Sequence, residues 1–287
     1  MGNIDEKTVE GFGEEWSEFS QETLSAPELQ RLFDNYFHIF RWEQLPENPV
    51  GFDMGCGSGR WAKRVAPRVA LLHCIDASDR ALDVARNNLK GQANCQFHRA
   101  SFEAIPLESR SMDFGYSLGV LHHIPDTLSG LRACADKLKP GAPFLAYIYY
   151  AFDNKPIWYR AVWKLSDILR RGISRLPFSL RLIVSQIIAA AVYFPLARLS
   201  LILEKLGVAV SNIPLSIYRH LSFYSMRTDA LDRFGTQLEK RFTRAEIQEL
   251  FVTAGLESIT FHAGPPYWCV VGYKRPPDDA ISRTSEI

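Results

Sequence analysis

The sequence predicts an α/β fold built on a mostly parallel sheet, preceded by one helical segment and interrupted late by another. Three observations predict it. From Val50 to about Tyr150 short apolar runs alternate with helical stretches, a glycine turn follows the first of those runs, and the alternation stops at Ala151 to return only near Thr243. Such alternation is the pattern of βαβ units, in which each strand returns through a helix to a parallel neighbour.

The elements follow in order. Residues 1–46 form an acidic cap, with Asp5, Glu6, Glu10, Glu14, Glu15, Glu18, Glu22, Glu28 and Asp34 against Lys7 and Arg31. Leu29, Leu32, Phe33, Tyr36, Phe37 and Phe40 recur at helical spacing, which predicts an amphipathic helix before Pro46. Residues 47–150 are the sheet core: a strand from Val50, a helix over 60–69, a strand over 70–75 and a helix over 79–89. Strands over 95–98 and 114–117, a helix over 131–138, a turn at Lys139-Pro140-Gly141-Ala142 and a strand over 144–149 complete it. Residues 151–240 read as a helical insertion, with Trp158, Val162, Leu165 and Leu169 on one face and Arg160, Lys164, Asp167, Arg170 and Arg171 largely on the other. The core returns over 241–274 as a helix capped by Thr243 and an antiparallel strand pair over 257–261 and 267–273. Residues 275–287 read as a disordered tail.

Lys and Arg number 33 against 32 Asp and Glu, for a net charge of +1, and 47% of residues are hydrophobic. That balance fits neither a protein that lives on bulk nucleic-acid affinity nor a disordered, solvating chain. Cys56, Cys74, Cys95, Cys134 and Cys269 show no CxxC spacing, which predicts a reduced, cytoplasmic protein without a structural zinc. The acidic N-terminal stretch lacks the order of a signal peptide, so secretion is not expected.

The stretch Phe52-Asp53-Met54-Gly55-Cys56-Gly57-Ser58-Gly59-Arg60-Trp61 lies between an apolar strand and a helix. Alternate glycines let the backbone turn tightly and approach a ligand, while the helix behind them offers free N–H groups. The dinucleotide fingerprint is not met, because its last glycine position falls on Arg60. An acid before the glycines would repel a pyrophosphate, so Asp53 argues for a ligand offering a cation or hydroxyl donors. Asp76 ends the second strand near the offset at which an α/β nucleotide site places its ribose-binding carboxylate.

These residues resemble the class I S-adenosylmethionine-dependent methyltransferase family, in particular its small-molecule branch. Ser111-Met112-Asp113-Phe114 through Gly119-Val120-Leu121-His122-His123-Ile124-Pro125 is similar to the fourth-strand segment that lines the cofactor, and Leu138-Lys139-Pro140-Gly141-Ala142 to the turn before the fifth strand. The resemblance implies a Rossmann-like sheet of seven strands, mostly parallel with the last antiparallel, and S-adenosyl-L-methionine as cofactor with no metal. It implies that Asp53 meets the cofactor's amino group, that Gly55, Cys56, Gly57 and Gly59 lie along its methionine portion, and that Asp76 takes both ribose hydroxyls. Ser101 and Phe102 stand where the family contacts adenine, with Glu103 as another source of that contact, and Gly119 belongs to the lining fourth-strand segment. Trp16 in the cap is placed to face the sulfonium or to pack the cap. His122 and His123, where ligands of open α/β sheets bind, are candidate general bases. Tyr149 after the fifth strand is a third catalytic candidate.

The insertion is where such enzymes build an acceptor lid. Over 155–205 it is strongly basic, and between Arg181 and Arg198 it carries no charge. The uncharged run is shorter than the ~20 residues a spanning helix needs, and Pro195 interrupts it. Three readings are open: a buried lid or homodimer helix, a peripheral membrane contact through 155–205, or a nucleic-acid patch. The expected function is methyl transfer to a small, lipophilic or anionic metabolite, with no nucleic-acid partner; the alternatives are a nucleic-acid methyltransferase and a non-catalytic, cofactor-binding, membrane-associated protein.

Overall fold

A computed structural model describes residues 2–277. Seven strands form one sheet: β1 (Val50–Met54), β2 (Leu71–Asp76), β3 (Cys95–Arg99), β4 (Phe114–Leu118), β5 (Pro143–Tyr147), β6 (Leu256–Phe261) and β7 (Cys269–Lys274). Their order is β3-β2-β1-β4-β5-β7-β6. The first five run parallel, and β7 enters antiparallel between β5 and β6. This is the mixed seven-stranded sheet the sequence predicts.

Strand alternation sorts the core into two layers. Phe52, Met54, Ile75 and Phe144 face helices α5 (Thr127–Lys137) and α10 (Arg244–Thr253) through Leu131, Ile247 and Phe251. On the other face Leu72, Cys74, Phe114, Tyr116 and Leu145 pack against α2 (Ala26–Tyr36), α3 (Ala62–Val65) and α4 (Asp79–Asn88) through Phe33, Phe37, Trp61 and Leu82. Thr243 and Glu246 cap α10 reciprocally, as its sequence implies.

Several elements differ from the sequence reading. The cap contains two helices, α1 (Glu6–Glu18) and α2, because Asp5 and Ser25 each accept a backbone N–H of a first turn and so start separate helices. Asp126 does the same for α5, which begins four residues before Leu131. The helix expected over 60–69 shortens to α3 and a 3₁₀ turn at Ala66–Arg68 that contains Pro67. Strand β5 ends at Tyr147, and the Tyr149 N–H turns to His122 Nδ1 at 3.3 Å. The tail expected over 275–287 falls outside the described residues from 278 onward.

Residues 151–240 contain α6 (Ile157–Ile173), α7 (Phe178–Ile188), α8 (Phe194–Lys205) and α9 (Phe223–Gly235). Pro195 does not end the helix. A π-helical turn at Ala189–Tyr193 joins α7 to α8, giving one continuous 28-residue helix, Phe178–Lys205. A widened turn changes the hydrogen-bond pairing just where proline lacks an N–H. Ala189, Tyr193 and Ala197 pack against Met226, Ala230 and Phe234 of α9.

Candidate functional site

The loop after β1 sets the site. Gly55, Gly57 and Gly59 have φ of 79°, 53° and 74°, a conformation L residues rarely adopt. The N–H groups of Gly55 and Cys56 donate to Ile75 O at 2.7 and 3.0 Å, which ties the loop to β2. Asp76, at the end of β2, accepts from Gly57 N and Ser78 N, each at 2.9 Å. Burial raises its pKa, and those backbone donors oppose the rise. A Cβ on Gly57 would stand 2.9 Å from Trp16 Nε1, so only glycine lets the cap indole close on the loop.

Above the loop lies a cavity of about 870 Å³, counting its open mouth. Trp16, Gly55, Cys56, Gly57, Asp76, Ser101, Phe102, Gly119 and His123 all line it. Gly119, with φ of 82°, has open space where a Cβ would project. The N-terminal segment closes one side: Asn3 exchanges hydrogen bonds with the backbone of Asp126 at 2.7 and 2.8 Å, and its own N–H donates to Glu103. Glu103 therefore serves the cap and does not line the cavity.

Four residues singled out from the sequence lie off the cavity lining. Strand alternation turns Asp53 to the opposite face from Phe52 and Met54, beside Cys74 and Tyr116, so its side chain does not reach the cavity. It is 1% exposed, neither carboxyl oxygen has a hydrogen-bond partner, and burial lifts its pKa to about 8 despite the Tyr116 hydroxyl. Gly59 faces Leu89 and Ala85 and serves the packing of α4. His122 and Tyr149 stack on one another, ring centres 3.7 Å apart, behind the lining.

A 3₁₀ turn at Leu121–His123 delivers His123 to the cavity wall. Its Nδ1 lies 2.7 Å from Leu238 O, and because a carbonyl can only accept, Nδ1 carries the proton. Nε2 is then a bare lone pair, buried and without a partner. Burial lowers the pKa of His123, with Asp232 and Glu239 opposing. His122 has the reverse tautomer, since its Nδ1 accepts from Tyr149 N. Its pKa falls well below the ordinary value through burial and the neighbouring His123.

Sequence reasoning missed a buried polar cluster behind His123. Tyr149 Oη donates to Asp232 Oδ2 at 2.5 Å, joining the end of β5 to α9 across 83 positions. Asp232 Oδ1 and Glu15 Oε1 are buried without partners. Burial raises the pKa of Glu15 well above normal, Asp232 and Asp229 adding to it, and lifts Asp229 to about 6 with Arg60 opposing. Arg60, flanked by Trp16 and Trp61, lines the cavity as its cation. No local motif announces these residues; they come from α1, the turn before α3, the segment after β5 and α9, which only the fold brings together.

An open α/β sheet with a glycine loop, a terminal acid on β2 and a cavity over both is the Rossmann-like architecture of an enzyme that binds a nucleoside cofactor. Residues 52–146 match the family described as Methyltransferase domain. The ubiquinone biosynthesis O-methyltransferase of Nitrosospira multiformis is 32% identical over 158 residues, covering 53% of this chain and 63% of that protein. The protein of the same name from Saccharophagus degradans is 29% identical over 144 residues, covering 48% and 60%. This chain spans about three fifths of the length of these curated relatives. Among solved structures, the S-adenosylmethionine-dependent methyltransferase SibL superposes with a TM-score of 0.52 at 14% identity, over 86% of this chain and 55% of that one. The methyltransferase solved with the Haloferax volcanii Trm112 activator gives 0.51 at 15% identity, over 92% and 98%. These structures share the fold. Residues 52–146 thus match a methyltransferase domain, on a fold that the solved methyltransferases share.

Proposed function

We propose that this protein is a cytoplasmic enzyme that transfers the methyl group of S-adenosylmethionine to a hydroxyl of a small, lipophilic acceptor. The observation that carries the reading is His123, a residue of the cavity lining above the glycine loop whose tautomer leaves Nε2 a buried lone pair without a partner. The residues present suit the cofactor. Gly119 leaves space that a Cβ would fill, and Asp76 stands preset by two backbone donors at the loop edge. Asp76 would hold the ribose hydroxyls, Ser101 and Phe102 would flank the adenine, and Gly55, Cys56 and Gly57 would carry the methionine portion under Trp16.

When bound, the cofactor supplies an activated methyl group with a neutral leaving thioether. The protein's part is to orient the acceptor in line and to take its proton. His123 Nε2 receives the hydroxyl proton, and the resulting imidazolium is held by the Leu238 carbonyl at Nδ1, with the negative field of Asp232 and Glu239 favouring the charge. Tyr149 and Asp232 act behind His123 as positioning residues. The segment 151–240 supplies Asp232 and the Leu238 carbonyl behind His123 without lining the cavity, which makes it the support of the base in this reading. The printed names of the curated relatives support oxygen as the accepting atom.

Titration calorimetry with S-adenosylmethionine tests the reading. Wild-type protein binds, and Asp76→Ala loses about 100-fold in affinity, the scale of charge-assisted hydrogen bonds. Absence of wild-type binding, or unchanged affinity in the variant, overturns it.

A further inference from the structure

Helices α6, α7 and α8 are inside out. Their inward sides carry Asp167, Arg170, Arg181, Ser185, Ala197 and Ser200, each 9% exposed or less. Their outward sides carry Ile157, Leu165, Ile168, Ile187, Ile202 and Leu206, between 56% and 82% exposed. A soluble surface helix does the reverse, and exposed apolar stripes of this kind mark an interaction surface.

The charges beside the face identify its partner. From 155 to 205 every exposed charged side chain is basic: Arg160, Lys164, Arg171, Arg175 and Lys205. Arg160, Lys164 and Arg171 are spaced so that they line one edge of the apolar stripe of α6. The two acids are paired. Asp167 is buried and pairs with Arg170 at 2.7 Å and with Arg171 at 3.0 Å, and Glu204 binds Arg219 and His220 at 2.7 and 2.8 Å. Apolar side chains edged by the exposed cations Arg160 and Lys164 match a bilayer surface with anionic headgroups. A second copy of this chain would bring cation against cation.

The same packing argues against crossing the bilayer. Phe178–Lys205 is long and apolar enough to span by length and composition. Its inward side, however, is packed on α9, which carries Arg227, Asp229, Asp232 and Arg233. A spanning helix would drag those groups into hydrocarbon.

We propose that the outward sides of α6–α8 seat in the interfacial layer of an anionic lipid membrane, with Arg160 and Lys164 on the headgroups. The inference stands independently of the methyl-transfer reading.

The test is co-sedimentation of the full chain with vesicles of phosphatidylglycerol mixed with phosphatidylcholine, and with phosphatidylcholine alone. Wild-type protein partitions onto the anionic vesicles at low salt, and the fluorescence of Trp158, 52% exposed, shifts to the blue in a manner lost in Trp158→Phe. Lys164→Gln lowers the partition coefficient about 5-fold, from ~1 kcal/mol per basic residue at an anionic surface. Leu165→Glu with Ile187→Glu lowers it at least ~10-fold, and because both positions face solvent these variants keep the wild-type circular dichroism. Failure to bind anionic vesicles overturns the proposal. So does equal binding by the Glu variants, or a wild-type dimer in light scattering that the same variants convert to monomer.

Discussion

Around β1 and β4 the interior is Phe52, Phe114, Tyr116 and Leu131, all fully buried; in α6 the interior is Asp167 and Arg170, while Leu165 and Ile168 face outward. The sheet core follows ordinary burial of apolar area, whereas within the segment 151–240 the inward sides of α6 and α7 are closed by polar contacts. Arg170 Nη1 donates to Thr236 O at 2.8 Å, and Arg181 Nη1 to Gly235 O at 2.9 Å. Arg181 also reaches Glu14 of α1 at 2.8 Å. The near-neutral net charge is thus a sum of an acidic N-terminal segment and a basic later one, and part of that charge meets in this bridge. A segment held from within by ions keeps its apolar side chains for something outside the chain.

The largest effect that would sharpen this contrast lies where the two regions meet. His123 belongs to the core, but the carbonyl that assigns its tautomer, Leu238 O, follows α9. If the helical segment holds the base in place, His123→Gln lowers kcat by roughly 10²–10⁴-fold, the usual worth of a positioned base. S-adenosylmethionine affinity stays unchanged in that variant, because Asp76 is untouched. Since burial lowers the His123 pKa, the acidic limb of the wild-type kcat profile lies below 6.5. A limb above that value, or full activity in the variant, removes His123 from the chemistry.

Paired leucine truncations come next. Leu131→Ala, in the core, costs about 2–5 kcal/mol by transfer and cavity terms. Leu165→Ala, 63% exposed, costs less than about 0.5 kcal/mol. Denaturant midpoints with an unchanged slope measure both. Equal losses would mean that α6 buries its apolar side as the core does, and the contrast would break.

The two regions were not equally legible in the sequence. The glycine loop and Asp76 could be read because their chemistry is local: three alternate glycines suit a left-handed turn, and the acid follows at a set offset. For α6, periodicity showed that Trp158, Val162, Leu165 and Leu169 share a face, but a period carries no sign, and only packing reveals which way the face points. Continuity of the helix through Pro195 rests on a π turn that no local residue type announces. Pairing of Tyr149 with Asp232, and the buried polar cluster with Glu15, join positions too distant in the chain for spacing to report. Asp53 misled for the opposite reason, since it lies inside the best motif yet alternation turns it beneath the sheet.

The acid beneath the sheet gives the last prediction and a probe of the core alone. A carboxyl 1% exposed, without partners and with its pKa lifted from 3.8 to about 8, prefers to be protonated in the folded protein. Between those two values the folded state holds a proton that the unfolded chain releases. Its contribution to stability is therefore complete below pH 3.8 and is lost as pH rises through about 8. Asp53→Asn keeps the shape and cannot ionise, so its stability should fall less than that of the wild type over that window. Denaturant midpoints at pH 5, 7 and 9 measure the difference. Parallel pH dependence in the two proteins would mean that Asp53 is ionised and solvated, and that the face of β1 toward Tyr116 is open to water. A flatter profile in Asp53→Asn, with Leu165→Ala following the wild-type profile, would place this proton in the sheet core and leave α6–α8 without a share in it.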